Sequence, residues 1–166
     1  MVLGLSFDAF TKLHVIISII GIISGLIVLW GMLGNRKLAS WTAVFLVFTV
    51  LTSITGFPLP PFGIDPPRVI GILSLVLLAG AILGYYVFHL QGAWRWIYVV
   101  TAVISLYLNV FVFVVQAFQK LPFLQLFSPT QSEPPFVVAQ LLVLALFAGL
   151  GFLSVRRFHP AVLAPA

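Results

Sequence analysis

The chain has 166 residues, 62% of them hydrophobic and 7% charged, with a mean hydropathy of +1.23 and no cysteine. These figures exclude disorder, a disulfide-stapled secreted domain and most soluble folds, and they point to an integral membrane protein. Eight Lys and Arg stand against three acids, a net charge of +5; so few charges cannot build the clustered basic face that nucleic acid requires, and the excess reads as topology information.

Crossing about 30 Å of hydrocarbon takes about 20 apolar residues at a rise of 1.5 Å each. Five intervals between charged residues are long enough: 13–35, 38–64, 69–94, 96–119 and 134–155, of 23, 27, 26, 24 and 22 residues. Trimmed at flanking Pro, Gly and polar residues, they predict helices near 13–34, 40–57, 69–91, 95–118 and 136–155. The expected fold is an all-α, polytopic transmembrane helical bundle, a single transmembrane domain over 1–166. No basic residue precedes Lys12 and no small-residue cleavage pattern follows the first segment, so it is expected to remain as a helix rather than be removed as a signal peptide.

In the first helix, His14, Ser18, Gly21 and Gly25 are spaced 4, 3 and 4 and share one face, with Gly21 and Gly25 forming a GxxxG. The third helix carries another, Gly80 to Gly84. Glycines at this spacing let backbones approach closely, which in lipid is what drives helix association, and an intramolecular neighbour is favoured over a second protomer. The second helix contributes the hydroxyls Thr49, Thr52, Ser53 and Thr55. The fourth holds a polar row, Thr101, Ser105, Asn109, Gln116 and Lys120, confined to about 100 degrees of the helix circumference. Such a face should look into the bundle, where its amides are expected to find hydroxyl partners on the first and second helices and Gln140 on the last. His14, Ser18, Thr52, Thr55, Asn109, Gln116 and Gln140 form the candidate polar pocket, with interhelical hydrogen bonding as the plainer reading.

Trp30, Trp41, Trp94 and Trp96 all fall at helix ends on one side, as an aromatic belt at headgroup level would. That side also carries Arg36, Lys37, Arg95, Arg156 and Arg157 without an acid. The other holds Asp8, Lys12, Asp65, Arg68, Lys120 and Glu133, and nine of the 11 prolines lie in or beside its loops, including Pro60 and Pro61. Five cations against three predict an N-out, C-in orientation.

Catalytic patterns are absent. There is no thiol, no paired carboxylate, no phosphate-cradling loop and no nucleophile elbow, so no catalytic residue and no metal site are proposed. Glu133, in the segment Pro129–Pro135, could bind a cation or pair with Lys120 or Arg68, but a solvated loop capping the last helix is favoured. His14 and His89 lie about 30 Å apart along the membrane normal and cannot clamp one haem, leaving haem only with another axial ligand or shared between protomers.

The segments LHVIISIIGIISG at 13–25, FHLQGAWRW at 88–96, and LNVFVFVVQAFQKLP followed by SPTQSEPPF at 108–136 resemble those of small uncharacterised bacterial multi-pass membrane proteins. The resemblance covers most of the chain and implies a bacterial inner-membrane location without an activity or site residues. The LHV pattern of the first helix also looks like small membrane cytochromes. The leading expectation is a non-enzymatic packing, assembly or small-ligand or lipid-binding module, in contact with the lipid bilayer and a homo-oligomer or membrane-protein partner. Transport of an uncharged solute and haem-bearing electron transfer are the alternatives.

Overall fold

The computed structural model describes residues 2, 4–59 and 66–160, so Pro60, Pro61 and Asp65 lie outside the described residues. It is helical throughout, with an isolated bridge between Val2 and Leu5. The helices are α1 (Phe7–Leu33), α2 (Ala39–Gly56), α3 (Pro66–Ile82, running on as a π-helical turn over Leu83–Val87), α4 (Ala93–Lys120), the short α5 (Pro122–Phe127) and α6 (Pro134–Arg157). All but α5 are long and apolar enough to cross a membrane.

The helices run past the charges that bounded the sequence intervals. α1 starts at Phe7 because Ser6 Oγ accepts a hydrogen bond from Ala9 N at 3.2 Å and Asp8 sits in the positive first turn. Asp8 also pairs with Lys12 one turn later, at 2.7 Å. α6 opens on Pro134 and Pro135, whose missing N–H groups fall where the helix has no internal acceptor, and it ends on Arg156 and Arg157 at its negative pole.

The predicted third helix reaches residue 91, whereas α-helical geometry stops at Ile82 and the last turn is π. The chain leaves the helix at Phe88, where His89 (φ 49°) and Leu90 (φ 62°) turn it sharply. Leu90 N donates to Gly84 O at 2.9 Å, and the Leu90 side chain is buried. Phe88 stacks flat on Trp94 at 4.0 Å between centroids, which clamps the two ends of this turn together.

Two hairpins result. α1 and α2 pack along their length through the tight link 34–38, where Leu38 covers Gly31. α3 and α4 form the second, and α4 occupies the centre, touching α1, α3 and α6 and the edge of α2. The buried centre is built from Phe45, Leu78, Tyr98, Val99 and Leu106. α6 is peripheral: only Phe147 and Ser154 are buried on it, while Leu141, Leu142, Leu146 and Phe152 face outward.

Contacts at the helix ends define two rims. At one, Arg95 Nη1 donates to Val155 O and Phe158 O at 2.9 and 2.8 Å, His159 N donates to Asn35 Oδ1, and Lys37 lies over the Tyr85 ring. This is the tryptophan rim, where Trp30, Trp41 and Trp96 are exposed. At the other, the proline rim, Arg68 Nη2 donates to Phe57 O and Leu59 O, tying α3 to the end of α2.

Candidate functional site

The face of α1 carrying His14 and Gly21 meets the face of α2 carrying Thr55 and Thr49, and Asn109 of α4 approaches both at Gly21, whereas Thr101 of the same row packs against Gly80 of α3. His14 Nδ1 and Thr55 Oγ1 are 2.8 Å apart. Thr55 also donates to Leu51 O at 2.7 Å, which leaves its oxygen to accept from the imidazole. The ring rests against Gly56, where a β-carbon would stand 3.7 Å from Cε1. Lys120, at the end of α4, lies within electrostatic reach of His14.

Deeper in the membrane, Gly21 lets α2 and α4 approach α1 closely: a β-carbon there would lie 3.3 Å from both Asn109 Nδ2 and Thr49 Oγ1. The Asn109 amide nitrogen is buried and has no hydrogen-bond partner. Eleven residues separate Lys120 from Asn109, so the polar seam runs about 16 Å from the proline rim toward mid-membrane. Gln116, half-buried two turns beyond Asn109 on the same face, makes no side-chain hydrogen bond among the described residues.

The expected pairing of amides with hydroxyls across helices is largely replaced by local bonds. Ser18, Thr49, Thr52, Thr55 and Ser105 each donate to the carbonyl four residues earlier on their own helix, and Thr101 does so to Ile97 O. A short hydroxyl side chain reaches that carbonyl without moving a helix, so its proton is taken before a neighbour can compete. His14 with Thr55 is the side-chain pair that crosses the seam.

Gln140 is not brought to this seam. Its Nε2 donates to Phe111 O at 3.2 Å, and Phe111 lies two residues, or about 200 degrees, from Asn109 around α4. Its Oε1 is buried without a partner. Of the seven sequence-selected residues, His14 and Thr55 are hydrogen-bonded across α1 and α2 and Asn109 meets α1 at Gly21, while Gln140 makes a separate contact between α6 and the far side of α4.

The four glycines all sit at close helix approaches within the chain. A β-carbon at Gly25 would come 2.6 Å from Leu106 Cδ1 and 2.8 Å from the Phe45 ring; at Gly80 it would meet Thr101 at 3.3 Å; at Gly84 it would meet Trp94 O at 3.0 Å. Gly21 and Gly25 thus admit α4 as well as α2, and Gly80 and Gly84 seat α3 on α4. Trp94 differs from the other tryptophans in being half-buried against Phe88.

Glu133 is occupied by its own loop. Its carboxylate accepts from Ser128 Oγ at 2.7 Å, Thr130 Oγ1 at 2.8 Å, and the backbone N–H groups of Thr130 and Ser132 at 3.1 Å. The Ser128 hydroxyl, followed by the Thr130 groups, holds the carboxyl well below its ordinary value, at about 2. Gln131 fastens this loop to α4, with Nε2 donating to Val115 O and Oε1 accepting from Gln119. His89 sits in the tight turn at the tryptophan rim, at the opposite end from His14.

Comparison with family models, with curated proteins and with solved structures finds no match, so the functional reading rests on the geometry of the seam.

Proposed function

We propose that this is a multi-pass protein of the bacterial inner membrane, oriented N-out and C-in, which acts by non-covalent binding of a small uncharged ligand in the α1–α2–α4 seam. The observation that carries the reading is the buried, unpartnered Asn109 Nδ2 at the deep end of the seam. A buried amide donor left unsatisfied costs about 1–3 kcal/mol, and a ligand carbonyl, ether or hydroxyl oxygen would recover it. Toward the rim, His14 Nε2 offers an acceptor for a ligand hydroxyl. The serine and threonine oxygens between them keep lone pairs free while their protons are engaged. Such a seam binds and orients; it supplies neither a nucleophile nor a proton relay.

The test is co-purification in mild detergent, with mass spectrometry and an absorbance spectrum on one sample. The wild-type protein is expected to carry a small molecule that Asn109→Leu loses while the variant stays folded. Equal ligand content in the two, or none in either, would reduce the seam to helix packing. The polar side chains spaced from His14 at the rim to Asn109 at mid-membrane favour one second reading, passage of an uncharged solute. Flux into proteoliposomes that Asn109→Leu abolishes would put that reading first.

A further inference from the structure

On the far side of α4 from the seam, and at the opposite rim, α4 and α6 diverge enough to leave an open trough of about 330 Å³. It is lined by Val100 and Ile104 of α4 and by Ala148, Gly151, Phe152 and Val155 of α6, together with the buried Val103 and Phe147. The lining is apolar throughout. From Val155 to Ala148 the trough extends about 11 Å along α6, within the roughly 15 Å depth of one leaflet's hydrocarbon.

The trough ends at the tryptophan rim in a cationic mouth. The Arg156 guanidinium lies over the ring of Phe152, 5.4 Å from its centroid, so a charge is fixed on the trough's own wall. Arg157 follows it, exposed, but about 200 degrees from Val155 around α6 and so away from the trough. Neither is needed to satisfy the end of α6, because Arg95 already donates to Val155 O and Phe158 O. Trp96 continues the row of Val100 and Ile104 by one turn and is 47% exposed, an amphipathic ring at headgroup level. Among the described residues no acid lies at this rim; Asp8 and Glu133 are both at the other.

We propose that the α4–α6 trough is a binding site for one anionic phospholipid of the leaflet at the tryptophan rim, with an acyl chain along the trough and the phosphate at Arg156. Charge complementarity selects the occupant: a planar guanidinium presents paired donors to phosphate oxygens, and an apolar channel beneath it accepts the chain joined to that phosphate. A second copy of this chain would bring its own five cations to the same rim and be repelled. The site depends on the five helices crossing a bilayer, and it is independent of the seam ligand.

The purified protein, reconstituted with equal amounts of phosphatidylglycerol and phosphatidylcholine and then released in mild detergent, should retain phosphatidylglycerol preferentially by native mass spectrometry. Arg156→Gln should cut that preference by about fivefold. Ala148→Phe, which fills the trough at an exposed position, should lower retention of both lipids. Arg157→Gln removes the same charge from the same rim on the opposite side of α6 and should leave the preference unchanged. Equal losses from the two variants would show general attraction to the rim and overturn the site, as would an unchanged preference in the Arg156 variant. Dimers that persist in excess phosphatidylglycerol and disappear in Ala148→Phe would assign the trough to a second copy instead. Because Asn109→Leu alters neither charge nor trough, it should retain phosphatidylglycerol as the wild type does.

Discussion

Replacing Gly25 by alanine tests whether the bundle is held by close backbone approach at the junction of α1, α2 and α4. The added carbon would lie 2.6 Å from Leu106 Cδ1 and 2.8 Å from two atoms of the Phe45 ring, where carbon pairs rest at about 3.5–4.0 Å. Leu106 and Phe45 are each 1% exposed, so neither can swing aside and the helices must part by about an ångström. Overpacking of this kind costs about 1–3 kcal/mol. Alanine's better helix propensity returns up to about 1 kcal/mol. The net expectation is about 1–2 kcal/mol of destabilisation, or roughly 5–30-fold in the folded-to-unfolded ratio. Gly149→Ala is the internal reference, because a β-carbon there meets nothing within 4 Å and only the propensity gain applies. Reversible unfolding in mixed micelles, followed by circular dichroism, would measure both. The double variant Gly25→Ala, Leu106→Ala should be less destabilised than the sum of its parts, since the second change makes room for the first. Gly25→Ala as stable as Gly149→Ala, with additive behaviour in the double variant, would refute the packing argument.

Three further outcomes follow from the rims. The Glu133 carboxyl is depressed to about 2 from an unfolded value of 4.5, so its contribution to loop order is complete above pH 4.5 and lost as pH falls through about 2; amide exchange at Thr130 and Ser132 should stay slow down to about pH 3 and be fast at neutral pH in Glu133→Gln, and protection already lost by pH 5 would contradict this. Arg95→Gln strips the donors from Val155 O and Phe158 O, at about 1.5–3 kcal/mol for charge-assisted bonds, and should free the end of α6; a single cysteine at His159, in a chain with no other, should then label severalfold faster, and an unchanged rate would count against the cap. A reporter fused after Ala166 should report the cytoplasm, and alkaline phosphatase activity there would reverse the orientation.

The spans were legible because charge is costly in hydrocarbon, so the gaps between charged residues mark them. Their ends were not, for the same reason turned around: Asp8, Lys12, Arg95 and Lys120 lie within helices at interfacial depth, where a charge is tolerated. The π turn at Leu83–Val87 has no periodicity of its own and depends on α4 approaching Gly84. α5 follows a proline at its first position in a stretch that composition alone reads as loop. Helical spacing showed that Thr101, Ser105, Asn109 and Gln116 share a face, because that is local geometry. It could not show that Gln140 approaches α4 from behind, nor that serine and threonine protons turn back to their own helices, since both depend on how α6 and α2 dock.

The peripheral seat of α6 bears on how the chain is made. α1 and α2 meet through a five-residue link and complete their shared surface as soon as both have left the ribosome, and α3 and α4 do the same through the Phe88–Trp94 clamp. α6 has its main contact surface on α4 and little elsewhere, so it must wait beside the growing bundle until that surface is in place, and Arg95 then latches its end. Membrane insertion of this chain should therefore proceed as two helical hairpins followed by a single late helix, with the last docking step the most exposed to failure during biosynthesis.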